Sequence, residues 1–196
     1  MRGIRQQERI TGTANDRQNR EQDDFYPTPS EGVEALLSVE TFEGPIWECA
    51  CGDGAISRVL EAHGYRVIST DLVDRGYGQA RTDFLMEWES RAPNIVTNPP
   101  FKNIPEFMLQ ALRLSTAKVA FLMRIGCLEG AERGKIYRSS PLARVWVFSN
   151  RLQIWRNGEK TSRSGGMIGF AWFVWDHNHK GPPTLGWLDA RTEKFS

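Results

Sequence analysis

The stretch Trp47-Glu48-Cys49-Ala50-Cys51-Gly52-Asp53-Gly54-Ala55 passes from an apolar run into a helical pattern through two closely spaced glycines. Glycine adopts positive φ at little cost and lets a backbone approach a ligand closely, while the following helix points its free N–H groups into the turn. The stretch predicts a strand at residues 45–50, a tight turn and a helix at residues 55–63. The two glycines alone do not distinguish a binding site from an ordinary strand-to-helix turn.

Short apolar runs and helical patterns alternate along the chain on both sides of this stretch. Such alternation is typical of a doubly wound α/β sheet, in which ligands bind at the carboxyl ends of the strands. The predicted strands are residues 45–50, 66–70, 80–83, 95–97, 118–123, 143–149 and 169–175. Helices are predicted at residues 55–63, 104–115 and 129–139, and a first helix is predicted to begin after Thr28.

The N-terminal residues differ in composition from the rest. Residues 1–24 are rich in Arg, Gln, Asn, Asp and Glu and have almost no large apolar side chains. They cannot bury enough surface to offset their ordering entropy, so we predict a flexible arm at 1–24 and a single domain at 25–196. The Thr28-Pro29 pair with Glu31 predicts a helix start in which the Thr28 hydroxyl caps the helix.

The bulk composition excludes several classes of protein. The chain is 40% hydrophobic and 25% charged, as in ordinary soluble proteins, and no apolar run is long enough to cross a bilayer. No signal-peptide core begins the chain. Three cysteines, Cys49, Cys51 and Cys127, form neither a disulfide framework nor a zinc site. We expect a cytoplasmic protein without a metal.

The charge is divided unevenly between the two halves. Residues 1–100 carry 10 Lys+Arg against 17 Asp+Glu, whereas residues 101–196 carry 15 against 7. A basic half indicates a polyanionic partner, and basic residues interleaved with Trp155 suit a nucleic-acid backbone and an unstacked base. A solvated hairpin would have the same composition. The candidate nucleic-acid-binding residues are Arg124, Arg151, Arg156, Lys160 and Arg163.

Two further positions extend the predicted site. Asp71 ends the second predicted strand, about twenty residues after the glycine turn, where a carboxylate can accept both hydroxyls of a ribose. The turn is not followed by a third glycine that would make room for a pyrophosphate. This favours a single nucleoside-like cofactor over a dinucleotide. Asn98-Pro99-Pro100-Phe101 follows the strand at 95–97, and its prolines hold an amide and an aromatic ring in a stiff, extended segment. Such a segment suits a flat, polar-edged nucleobase.

The chain resembles S-adenosylmethionine-dependent amino-methyltransferases at positions that follow the family's order: Glu48, Gly52, Gly54, Asp71, Asp83-Phe84 and Asn98-Pro99-Pro100-Phe101. The nearest match is the group of small phage-type DNA adenine-N6 methyltransferases, which the chain also resembles at Tyr26-Pro27-Thr28-Pro29 and at residues 171–176. The likeness covers roughly residues 23–176. Cys49 departs from it, because many relatives have proline there.

The resemblance implies a mostly parallel, seven-stranded Rossmann-like methyltransferase sheet with an antiparallel last strand, and S-adenosylmethionine as cofactor. Glu48 and the glycine backbones would face the methionine part, with Thr28 and Tyr26 opposite. Asp71 would hold the ribose and Asp83 the adenine amino group. Phe84 would pack near the adenine ring or belong to the ordinary core. The implied cofactor-binding residues are Tyr26, Thr28, Glu48, Cys49, Ala50, Gly52, Gly54, Asp71, Leu72, Asp83 and Phe84.

The implied catalytic residues are Asn98, Pro99, Pro100 and Phe101. The Asn98 side-chain oxygen and the Pro99 carbonyl would each accept a hydrogen of the adenine N6 amine, and Phe101 would stack on the flipped base. Because Asn98 lies past the strand end, we expect it to contribute little to folding.

Two kinds of alternative stay open. The same four-residue motif also serves cytosine N4, a guanine amine in RNA and glutamine amides in proteins, although the basic second half favours nucleic acid, DNA above all. A non-catalytic subunit that binds DNA or a partner is the alternative from another class.

Overall fold

Seven strands form one mixed sheet in the computed structural model, which describes residues 25–154 and 168–190. The predicted arm at 1–24 and the candidates Arg156, Lys160 and Arg163 lie outside the described residues. The strands are β1 (Ile46–Glu48), β2 (Val67–Ser69), β3 (Asn94–Thr97), β4 (Lys118–Arg124), β5 (Leu142–Phe148), β6 (Phe170–Asp176) and β7 (Thr184–Leu188). The helices are α1 (Ser30–Leu37), α2 (Ala55–Ala62), α3 (Ile104–Leu114) and α4 (Ala131–Ser139), with short 3₁₀ segments at Phe84–Met86, Phe101–Asn103 and Ile125–Leu128.

The strand order is β2-β1-β3-β4-β6-β5-β7, and neighbouring strands pair in parallel except where β6 pairs with β4 and β5. The predicted fold class, a doubly wound, mostly parallel seven-stranded sheet, is confirmed. The antiparallel strand is β6, which was predicted to be the last strand.

Two strands differ from the prediction. Residues 80–83 form no strand, and the only pairing nearby is a single bridge between Thr70 and Gln79. Arg81 adopts a φ of 59°, which interrupts an extended backbone. The strand that completes the seven is instead β7, which follows β6 and pairs with β5. Its central Gly186 lies against the Trp146 ring, where a Cβ would overlap the indole, so the position requires glycine.

Alternate residues of the central strands pack against different helices. Ile95 of β3 shares a buried cluster with Phe107 of α3. Its neighbour Val96 shares another cluster with Leu36 of α1 and Leu60 of α2. Both faces of the sheet are therefore covered, which explains why consecutive residues in the middle of its central strands are apolar. Each helix within residues 25–154 and 168–190 is too short or too polar to traverse a bilayer.

The predicted hydroxyl cap of the first helix is wrong. The N-cap of α1 is Pro29, and no side chain caps the helix. Thr28 lies one residue too early, is buried, and its Oγ1 accepts a hydrogen bond from Asn98 Nδ2 at 3.2 Å. The threonine thus ties the entry of α1 to the segment that follows β3.

Candidate active site

A cavity of about 350 Å³ opens where β1, β2 and β3 end. Of the residues predicted from the sequence, those that line it are Tyr26, Thr28, Glu48, Cys49, Ala50, Gly52, Asp71, Leu72, Asp83, Phe84, Asn98, Pro99, Pro100 and Phe101. Gly54 is the N-cap of α2, just behind the wall. The fold therefore gathers the predicted cofactor and catalytic positions around one cavity.

The Asp71 side chain accepts a hydrogen bond from the backbone of the glycine turn. Gly52 and Gly54 have φ values of 56° and 86°, a region that favours glycine. Asp71 Oδ2 accepts the Gly52 N–H at 2.7 Å, and Oδ1 accepts the Val73 N–H at 2.8 Å. A carboxylate has about four acceptor positions, so Asp71 can link the two loops and still accept bonds from a ligand.

Two residues that sequence reasoning missed cover the glycine turn. The ring of Phe25 lies so close to Gly52 that a Cβ there would overlap it. The Arg75 guanidinium lies over the same Phe25 ring, 4.3 Å from its centroid. Phe25 directly precedes the Tyr-Pro-Thr-Pro segment, which is the only sequence signal it carries, and Arg75 lies in a loop without a motif. Both residues line the cavity.

Glu48 is a buried carboxyl at the end of β1. Its side chain accepts a hydrogen bond from Ser57 Oγ, and Ser57 Oγ lies 2.6 Å from Ser69 Oγ. Burial raises the pKa of Glu48 well above its ordinary value, more than the Ser57 hydrogen bond lowers it. Burial therefore shifts the ionisation of this carboxyl to higher pH.

This raised pKa makes a prediction about stability. A carboxyl whose pKa is higher in the folded than in the unfolded chain stabilises fully below the unfolded value of 4.5 and loses that contribution as pH rises through the folded pKa. Glu48→Gln stays neutral, so its melting temperature should exceed that of the wild type at pH 8, by about 2–4 °C per 1 kcal/mol gained. The two proteins should approach each other toward pH 5.

Thermal unfolding between pH 5 and pH 8 measures the effect. Glu89→Gln, at an exposed carboxyl, is the matched control and should follow the wild type. Parallel curves for Glu48→Gln and the wild type would show that Glu48 ionises at its ordinary pKa.

Asp83 and Phe84 differ in burial, although they are neighbours in the sequence. Asp83 Oδ1 accepts the Leu85 N–H at 3.0 Å and so caps a 3₁₀ turn, while the residue itself is exposed at the cavity. Phe84 is buried, with its ring centroid 5.1 Å from Trp47 and 5.0 Å from Phe107. Phe84 therefore belongs to the hydrophobic core, and it also lines the cavity.

Asn98 is held by the N-terminal segment. Its Nδ2 donates to the carbonyl of Tyr26 at 3.1 Å and to Thr28 Oγ1 at 3.2 Å. A carbonyl can only accept, so the amide nitrogen faces Tyr26 and both of its hydrogens are used. The Oδ1 atom is the acceptor left for a ligand. The expectation that Asn98 contributes little to folding does not fit these bonds.

Phe101 is half-buried among three neighbours. The ring centroids of Tyr26 and Phe170 lie 5.4 Å and 6.4 Å from its own, both tilted. The Arg124 guanidinium lies over its ring, 4.1 Å from the centroid. Arg124 thus contacts the predicted catalytic segment, whereas Arg151 is exposed and does not line the cavity.

Burial affects the cysteine thiols at the cavity. Cys49, Cys51 and Cys127 are buried free thiols. Burial raises the pKa of Cys49 well above its ordinary value and that of Cys51 to about 12, so both stay protonated. Within the described residues no group of three or more His, Cys, Asp or Glu side chains could hold a metal ion.

No family model and no curated protein sequence matches the chain. Solved structures do match. A Listeria monocytogenes protein named as a class I S-adenosylmethionine-dependent methyltransferase has a TM-score of 0.56 and 12% identity over 81% of this chain and 62% of its own. The M protein of the type I restriction enzyme EcoKI has a TM-score of 0.53 and 14% identity over 81% of this chain and 45% of its own.

A third structure, magnesium protoporphyrin IX methyltransferase from Synechocystis PCC 6803 with bound S-adenosylmethionine, has a TM-score of 0.52. Its identity is 13%, over 75% of this chain and 79% of its own. The chain spans 62% of the Listeria protein and 45% of the EcoKI protein. These likenesses establish the fold, which is that of the class I methyltransferases.

Proposed function

We propose that the chain transfers a methyl group from S-adenosylmethionine to the exocyclic N6 amine of adenine in DNA. The observation that carries the proposal is the fixed amide of Asn98. Both of its hydrogens are bound by Tyr26 and Thr28, so its oxygen is the acceptor left for a ligand, and the half-buried Phe101 lines the same cavity. An acceptor next to an aromatic ring suits a base that carries an amine.

The rest of the cavity suits the cofactor. Its volume of about 350 Å³ lies within the range of small-molecule pockets. At one end Gly52 lets the Phe25 ring pack closely on the turn, and Asp71 retains acceptor capacity for ribose hydroxyls. Asp83 would accept the adenine amino group, and Glu48, at the end of β1, would face the methionine part, where a cofactor ammonium would favour its ionised form.

The proposed chemistry places two acceptors on the target amine. When bound, S-adenosylmethionine supplies a methyl carbon activated by its sulfonium. The adenine amine is a poor nucleophile because its lone pair is delocalised into the ring. Asn98 Oδ1 and the Pro99 carbonyl each accept one of its hydrogens, which favours tetrahedral nitrogen and directs the lone pair at the methyl group. Bound S-adenosylmethionine would thus supply the methyl group with S-adenosylhomocysteine as the leaving group, and the methylated nitrogen would release a proton.

DNA as the substrate has two supports. The second half of the chain is basic, with 15 Lys+Arg against 7 Asp+Glu in residues 101–196, which suits a polyanion. One structural neighbour is the M protein of a type I restriction enzyme. Candidate phosphate contacts are Arg124 and Arg151, with Arg156, Lys160 and Arg163 outside the described residues.

Nucleoside analysis tests the proposal. The chain is incubated with labelled S-adenosylmethionine and, separately, with duplex DNA, single-stranded DNA and RNA, and the digested products are measured by mass spectrometry. We expect label in N6-methyldeoxyadenosine. Label in N4-methylcytosine or in an RNA base would replace the proposed substrate. DNA binding without any transfer would instead support a non-catalytic subunit.

A further inference from the structure

One face of the Phe101 ring is covered by Arg124. Arg124 is the last residue of β4, the strand that pairs with β3, and the Asn98 segment follows β3 directly. Its planar guanidinium lies over the ring with the central carbon 4.1 Å from the centroid. A flat base stacked on that face would occupy the same space.

Arg124 is incompletely bonded in this position. Its Nε is buried and has no hydrogen-bond partner. With the residues that the structure describes, the guanidinium forms no hydrogen bond or ion pair, and it lies over the ring of Phe101. A buried donor without an acceptor is unfavourable, so this cation can gain bonds by moving.

The other two neighbours of Phe101 are held in place. The backbone carbonyl of Tyr26 accepts a hydrogen bond from Asn98. Phe170 is buried within β6, where it pairs with Arg124 across the sheet. The long Arg124 side chain, in contrast, can leave the ring by rotating about its own bonds.

We propose that Arg124 is a placeholder for the target base. It covers the Phe101 ring in the free protein. When the flipped adenine stacks on that ring, the Arg124 side chain moves away and binds a phosphate next to that nucleotide. This inference rests on the proposed function. Stacking of a base on an aromatic ring is more favourable than a cation–π contact at a partly exposed site, so the exchange proceeds toward the base. A phosphate oxygen would also give the Nε donor its missing acceptor.

The salt dependence of DNA binding tests the phosphate contact. Affinity is measured by fluorescence anisotropy between 50 and 200 mM salt, with S-adenosylhomocysteine present and a duplex that the wild type methylates. Arg124→Gln should lower the log–log slope by about 0.9, the value for one phosphate, and weaken binding roughly tenfold at 50 mM salt. Arg124→Lys should keep the slope. Arg66→Gln removes the same charge at an exposed position just before the edge strand β2, at the opposite end of the parallel strands from Arg124, and should change neither quantity.

The exchange on the ring has its own readout. With 2-aminopurine in place of the target adenine, stacking on Phe101 quenches its fluorescence in the saturated complex. The quenching should persist in Arg124→Gln and disappear in Phe101→Ala. An unchanged salt slope in a folded Arg124→Gln, or lost quenching in that variant, overturns the inference while the proposed function stands. A wild type that methylates no DNA overturns the proposed function and this inference with it.

Discussion

Asn98→Ala is expected to lower the single-turnover rate of methyl transfer by about 10²–10³-fold with cofactor saturating, the usual effect of removing one charge-stabilising polar group. The loss arises because Asn98 Oδ1 no longer polarises the target amine. The substitution also deprives the Tyr26 carbonyl and the Thr28 hydroxyl of their common donor, so the free energy of unfolding should fall by about 1–3 kcal/mol.

Thr28→Val separates the two effects. It breaks the same Asn98–Thr28 hydrogen bond and fills similar space, but it leaves the Asn98 oxygen in place. Its stability should fall toward that of Asn98→Ala, while its single-turnover rate at saturating cofactor should change by less than about tenfold. If Asn98→Ala transfers methyl groups as fast as the wild type, the proposed mechanism is wrong even though the fold stands.

The second large effect is expected at the cofactor. Asp71→Ala should weaken S-adenosylmethionine binding by roughly 1.5–3 kcal/mol, or about 10- to 150-fold, because charge-assisted hydrogen bonds to the ribose are lost. The variant also leaves the N–H groups of Gly52 and Val73 without their acceptor, which loosens the glycine turn. Both consequences act in the same direction on affinity.

Calorimetry with an internal control measures this effect. Asp74 lies in the same loop and accepts the Gly76 N–H at 3.0 Å, but it does not line the cavity. Asp74→Ala should therefore bind the cofactor within about twofold of the wild type. A folded Asp71→Ala with unchanged affinity would remove the assignment of this cavity to S-adenosylmethionine.

Local patterns in the sequence were sufficient for most of the secondary structure. The strand–turn–helix stretch at 47–55 was readable because a glycine pair and a change of hydrophobic period are local signals. The helix predicted at 129–139 is observed as α4 (Ala131–Ser139). The failures were also local: Arg81 turns the chain at positive φ where a strand was predicted, and β7 (Thr184–Leu188) forms where no strand was predicted.

The sequence by itself determined the class of sheet, its approximate elements and the residues that meet at the carboxyl ends of its strands, because periodicity and turn chemistry act over a few neighbouring positions. Only the tertiary structure decided which groups bind one another there. Asn98 donates a hydrogen bond to Tyr26, 72 positions away in the sequence. Arg124, at the end of β4, covers Phe101, which follows the neighbouring strand β3. Such contacts depend on strand order and side-chain direction in the folded chain, which no local pattern encodes.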